Sequence, residues 1–137
     1  MKIDAITSEV YVADWGNQRV IKLRKEPANN NWYADEFARY SQNGKFWSPI
    51  DIDIEYINDK KKFIYILYDY EPKDDDDHTG NKILKYSQDG NIENIIQNKH
   101  FLNSFIVESS ENNSIIYASK QDSGKNGQII KFYIPSK

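Results

Sequence analysis

The amino-acid sequence predicts an all-β fold, and three observations carry that prediction. Short runs alternate apolar with polar residues, and Ile50-Asp51-Ile52-Asp53-Ile54 is the strictest of them. The chain has 10 Tyr among its 137 residues and is rich in Ile, with few Leu and Ala, a balance that suits pleated strands better than helices. Polar turn signals punctuate the runs, among them Asp14-Trp15-Gly16-Asn17-Gln18 and Gln88-Asp89-Gly90-Asn91.

Taken in order, residues 2–6 read as a short strand. Residues 9–14 and 19–25 form a strand pair across a tight turn, where Gly16 and Asn17 can take positive φ. Pro27 and residues 29–31 make a loop. Residues 32–40 fit either a strand anchored by Trp32, Phe37 and Tyr40 or a helical turn on residues 34–38; the strand is preferred because every neighbour is one. Residues 41–44 turn the chain, and Phe46-Trp47-Ser48-Pro49 leads into the alternating run of residues 50–54. A polar hairpin turn at residues 58–62 precedes residues 63–70, apolar almost throughout, the mark of a strand covered on both faces. Residues 71–81 form a long acidic insert, read as a surface loop. Strands follow at residues 82–87, 92–97, 101–108, 114–119 and 128–134, with Pro135 ending the last. About 11 strands result, with no helix and no linker, so residues 1–137 are expected to form one domain. The expected core is Ile50, Ile52, Ile54, Ile64, Ile66, Ile83, Leu84, Ile115 and Ile129.

Bulk properties narrow the function classes. A net charge of −3 opposes sequence-blind nucleic-acid binding, which needs a basic surface. Without Cys there is no disulfide and no thiolate metal site, and with only His78 and His100 a histidine-built metal centre is hard to assemble. No apolar run approaches the length of a membrane span, and the first residues lack the pattern of a signal segment. The expected partner is therefore a protein or a small polar ligand, not a nucleic acid or a membrane.

The strands repeat. Val10-Tyr11-Val12-Ala13-Asp14, Ile64-Tyr65-Ile66-Leu67-Tyr68 and Ile115-Ile116-Tyr117-Ala118-Ser119 occupy one role. Arg19-Val20-Ile21-Lys22-Leu23, Lys82-Ile83-Leu84-Lys85-Tyr86 and Gln128-Ile129-Ile130-Lys131-Phe132 occupy the next, each with Lys before a large apolar residue. The stretch Val10–Val20, with its Ala13-Asp14-Trp15-Gly16-Asn17-Gln18-Arg19 turn, resembles the NHL-type β-propeller repeat. So does Asn43-Gly44-Lys45-Phe46-Trp47-Ser48-Pro49-Ile50-Asp51-Ile52-Asp53, with a turn Gly, an aromatic, a Pro and then an innermost strand. The third unit lacks the Pro lead-in and the Asp-Gly-Asn-Arg turn. The resemblance implies about three four-stranded antiparallel blades, at residues 1–42, 43–98 and 99–137, amounting to half or a fragment of a six-bladed β-propeller. It also implies a chain that completes its ring as part of a longer propeller or as a homodimer. Propellers of this kind serve as binding platforms, structural domains, lactonase-like hydrolases or lyases, so the fold alone leaves function open.

Candidate site residues follow from the loops and the innermost strands. Asp14 and Arg19 flank the first turn, where Arg19 either contacts a ligand or holds the turn through Asp14. Trp15, between Asp14 and Gly16 at the turn tip, is either a stacking platform or a plug against the next blade. Asp69 and Tyr70, beside the acidic insert, extend the same loop edge with a carboxylate and an aromatic. Asp51 and Asp53, with Glu55, either line a central channel, where they suit a cation, or pair with lysines and water. Four consecutive Asp at residues 74–77 invite Ca²⁺, but they cannot all face one ion and the EF-hand spacing is absent, so a solvated acidic loop is the first reading and no metal is assigned. No Ser–His–Asp order and no phosphate-cradling Gly loop is present. The expected function is a non-catalytic binding or scaffold module using its loop face. The alternative is part of a propeller hydrolase or lyase with a divalent metal in the channel.

Overall fold

A computed structural model describes residues 1–70, 81–98, 100–120 and 127–135, and of Tyr70 the backbone only. These residues form antiparallel sheets and contain no α-helix. The first sheet orders β1 (Lys2–Ile3), β2 (Val10–Asp14), β3 (Arg19–Lys25) and β4 (Trp32–Ala38) as a meander. The second orders β5 (Ser41–Gln42), β6 (Lys45–Asn58), β7 (Lys61–Tyr70), β8 (Lys82–Ser87) and β9 (Ile92–Gln97). The third orders β10 (Leu102–Ser109), β11 (Asn113–Lys120) and β12 (Gln128–Pro135). The ambiguous segment after Trp32 is a strand, as its neighbours required.

The second sheet has five described strands where four were expected. Asn43 and Gly44 both take positive φ (54° and 75°), the pairing of a two-residue hairpin turn. That turn folds Ser41 and Gln42 back onto Phe46 and Lys45, so residues that read as a plain turn add a short strand. In the first hairpin the left-handed residue is Gln18 (φ 55°), not Gly16 or Asn17, because residues 15–17 form a single 3₁₀ turn that ends on Gln18.

The middle sheet is covered on both faces. Tyr11, Val20 and Ala38 of sheet 1 pack against Ile52, Ile54, Ile64, Ile66, Leu84 and Tyr86 of sheet 2. From the other face, Tyr65, Leu67 and Ile83 pack against Leu102, Phe105, Ile116, Ala118 and Ile134 of sheet 3. Alternate residues of β7 thus serve two cores, which is why residues 63–68 of that strand are all apolar. The registers also fix the repeat. Tyr11 lies opposite Lys2 and Lys22, Tyr65 opposite Asp53 and Lys85, and Tyr117 opposite Ile106 and Lys131.

Three expected core residues differ. Ile50 is only half-buried, at the margin of the second core. Ile115 is half-buried and Ile129 is 70% exposed. Both lie on the Tyr117 face of sheet 3, which no described sheet covers; the buried residue of β11 is the neighbouring Ile116. Aligning Ile115 with Val10 and Ile64 slips the third unit by one residue, and a one-residue slip exchanges the two faces of a strand.

Candidate functional site

Antiparallel meanders send alternate turns to opposite edges of the stack. The turn between β2 and β3 lies on one edge, with the end of β7. The turns between β1 and β2, β6 and β7, and β10 and β11 lie on the other.

On the first edge, the Asp14 carboxylate accepts from both sides of its turn. Asn17 Nδ2 donates to its two oxygens at 3.1 and 2.9 Å, and Arg19 Nε donates at 3.0 Å. The Asn17 amide first, and the Arg19 guanidinium second, hold this carboxyl below the usual carboxylate range. Gln18 Nε2 donates to Phe46 O at 3.3 Å and anchors the turn to β6. Trp15 makes up the tip and remains 49% exposed. Arg19 is therefore the turn's fastener, and Trp15 is the side chain the turn presents. Asp69 accepts a hydrogen bond from Asn81 Nδ2 at 3.3 Å. Tyr70 ends β7 opposite Trp47. Residues 71–80, with the four consecutive Asp, and residues 121–126 lie outside the described residues, but Asn81, counted with the insert, is buried. Its side-chain amide also accepts from Leu102 N at 2.6 Å, and its carbonyl accepts from Asn98 Nδ2 at 2.7 Å, so the end of the insert is built into the seam between sheets 2 and 3. The three Trp do not converge: Trp47 is buried, and Trp32 sits at the far end of β4, on the edge opposite Trp15.

The β6 carboxylates are engaged within the molecule. Asp51 Oδ2 accepts from Phe105 N at 3.0 Å, and Asp53 Oδ2 accepts from Val107 N at 2.7 Å. Asp53 also pairs with Lys2 Nζ at 2.9 Å. Glu55 accepts from Tyr65 OH at 3.0 Å, from Ser109 Oγ at 2.6 Å and from Ser114 Oγ. Burial, and then the Glu55 charge beside it, pushes the Tyr65 hydroxyl well above its usual range. The strand reads as a comb of acceptors that holds the edge of β10, a role that charge alternation alone does not distinguish from a channel lining.

Sequence reasoning missed two sites. Asp4 is fully buried and accepts from Ile6 N at 2.9 Å and Tyr56 OH at 3.1 Å, while its other oxygen meets Lys62 Nζ. It lies in a cleft of about 280 Å³ between sheets 1 and 2, on the edge opposite Trp15. A larger groove of about 550 Å³ lies between sheets 2 and 3 on that same edge. The second missed residue is Lys82, buried with its ammonium 4.9 Å from the centre of the Trp47 ring and within hydrogen-bond reach of Gln42 Oε1. It fills the slot that Arg19 fills in sheet 1, so the repeat alignment marked the position but not its burial. Among the described residues no group of three or more His, Cys, Asp or Glu is placed to hold a metal ion.

No protein-family model, no curated protein and no solved structure matches this chain.

Proposed function

We propose that the chain is a non-catalytic binding module of the NHL-type β-propeller kind, taking a protein or small polar ligand on the edge that carries Trp15. One observation carries the reading: a half-exposed Trp15 stands at the tip of a turn that is fastened through Asp14, Asn17 and Arg19 and anchored to the next sheet by Gln18. An aromatic surface held rigid before binding loses little entropy when a partner stacks on it. The stacked meanders and their Tyr–Lys rungs support the propeller part of the reading. Asp69 and Tyr70 end β7 on the same edge, and residues of those two types suit a cationic partner. The lactonase-like alternative has less support, since Asp51 and Asp53 already accept backbone hydrogen bonds from β10.

The test is a panel of arginine- and lysine-bearing peptides titrated against the protein. Replacing Trp15 and Tyr70 together by Ala should leave melting temperature nearly unchanged and weaken the best peptide about tenfold or more, as loss of an aromatic anchor does. Equal affinity in the double variant places the site elsewhere.

A further inference from the structure

The two joints between sheets share one construction. In the first, Asp4 of sheet 1 reaches Tyr56 and Lys62 of sheet 2, at separations of 52 and 58 residues. In the second, Glu55 of sheet 2 reaches Ser109 and Ser114 of sheet 3, at separations of 54 and 59. The registers show that these are equivalent places. Asp4 and Glu55 each lie two residues beyond the partner of the rung tyrosine, and Lys62 and Ser114 each lie three residues before the next one. By the same count the third clasp carboxylate is Glu108 of β10, which is exposed.

The apolar residues tell the same story. Val20 and Ile83 are fully buried under the following sheet, whereas their equivalent Ile129 is 70% exposed. Tyr11 and Tyr65 are fully buried, whereas Tyr117 is half-buried. Ile106 and Tyr133 add two more exposed side chains to that face, at 60% and 61%. At the other end of the stack, Ile64 and Ile66 of sheet 2 and Ile116 and Ala118 of sheet 3 are fully buried under the preceding sheet. Their equivalents in sheet 1, Val10 and Val12, are only half-buried, and Ile3 beside them is 58% exposed. The residue three before Tyr11, the place that Lys62 and Ser114 take before Tyr65 and Tyr117, is Ser8, an exposed residue in the turn between β1 and β2.

We propose that the face of sheet 3 bearing Ile129 and Glu108 packs on the outer face of sheet 1 of a second copy of this chain, with Ser8 of that copy donating to Glu108, and that the contact is made twice, reciprocally, in a closed pair. The occupant follows from continuity. The stack already contains two joints in which the front of one sheet covers the back of the next, and the uncovered front and uncovered back carry the corresponding residues. A front-to-back contact is heterologous, so it ends only by closing on itself. The inference does not use the Trp15 site, and its failure leaves the binding reading standing.

Sedimentation equilibrium at micromolar concentration tests it. The unaltered chain should give twice its 16.1 kDa mass. A single-chain mass, or a series of masses that keeps growing with concentration, overturns the closed pair. Ile129→Glu and Ile3→Glu each place a charge on one face only, at positions exposed enough to leave the single chain folded, which near-ultraviolet circular dichroism checks. Each alone should give the single-chain mass. Mixed, they should recover a pair held at one joint, because one of the two contacts is then unaltered while the other bears both charges. An Ile3→Glu chain that stays paired while Ile129→Glu separates would mean a symmetric contact of sheet 3 on sheet 3 and overturns the proposal, as does a mixture that recovers nothing. Glu108→Lys should weaken the pair about tenfold; unchanged pairing in that variant overturns the clasp.

Discussion

The joint between sheets 1 and 2 and the joint between sheets 2 and 3 put a carboxylate in the same place and satisfy it with opposite chemistry. Asp4 faces the Lys62 ammonium, with Tyr56 OH and two backbone amides completing its shell. Glu55 faces three neutral hydroxyls, those of Tyr65, Ser109 and Ser114. The first arrangement has desolvated two opposite charges together, so each depends on the other. The second spreads one charge over donors that can rotate and accept as readily as they donate. The geometry of the stack is thus set by the position of the clasp, while the cost of damaging it is set by the partner's chemistry.

The largest effect is expected at the ionic joint. Asp4→Asn keeps the shape but leaves Lys62, whose side chain is 11% exposed, without its main counter-charge. Breaking a buried pair from one side costs about 3–5 kcal/mol, and the lower figure applies here because Glu9 at 3.6 Å remains near the ammonium. Urea unfolding measures it, and a loss below about 1 kcal/mol, the worth of an exposed pair, would show that the pair is solvated. The pH dependence has a definite sign. Burial opposes ionisation of Asp4, but the Lys62 ammonium and the Ile6 amide outweigh it, and the carboxyl lies well below the usual carboxylate range. A folded value below the unfolded one means stability that is full above about pH 5 and lost as pH falls below about 4. The stability gap between the unaltered protein and Asp4→Asn should therefore be flat near neutrality and shrink under acid.

Glu55→Gln should be the milder lesion. Tyr65 can still donate to the amide oxygen, and the Ser109 and Ser114 hydroxyls can turn to accept from the new NH₂ group. Losing a charged acceptor in a buried site costs about 1–3 kcal/mol under these conditions. A loss larger than that of Asp4→Asn would invert the comparison and make the hydroxyl joint the stronger one.

Much of this was legible in the sequence. The spans of β3, β8 and β9 coincide with the runs read from alternation and turn residues, because there strand period and turn chemistry agree. The Tyr–Lys rungs were visible as a repeat. The joints were not, since a carboxylate on a half-buried strand looks the same whether it meets water, a lysine or the backbone of the next sheet. Asp4, Glu55 and Glu108 recur two residues beyond the cross-strand partners of the tyrosines, and because the hairpins between differ in length the clasp follows from strand register and not from the spacing of the tyrosines along the chain. The face of sheet 3 was misassigned because its apolar residues alternate on both sides, so periodicity cannot say which side is covered. Lys82 was read as a strand's polar first residue, and nothing local to it announces Trp47, 35 residues earlier, over its ammonium.

The last comparison, which ends on the smallest expected effect, is between two glycines in turns that the sequence marked alike. Gly90 ends the turn between β8 and β9 with φ 88°, a conformation that L side chains rarely adopt. A Cβ there would stand 2.9 Å from Phe37 O, on the backbone of β4, so the turn is seated on sheet 1 as part of the first joint. Gly16 has a negative φ, and a Cβ would meet nothing within 4 Å. Gly90→Ala should therefore cost about 1–3 kcal/mol through backbone strain and contact with a carbonyl that cannot retreat without disturbing the strand. Gly16→Ala should stay within about 0.5 kcal/mol, since a small side chain entering open space alters only the freedom of the unfolded chain. Thermal unfolding of both variants side by side decides it. Equal losses would mean that the Gly90 turn moves aside from β4 freely, and that the first joint rests on the Asp4 clasp and the aromatic core without that turn.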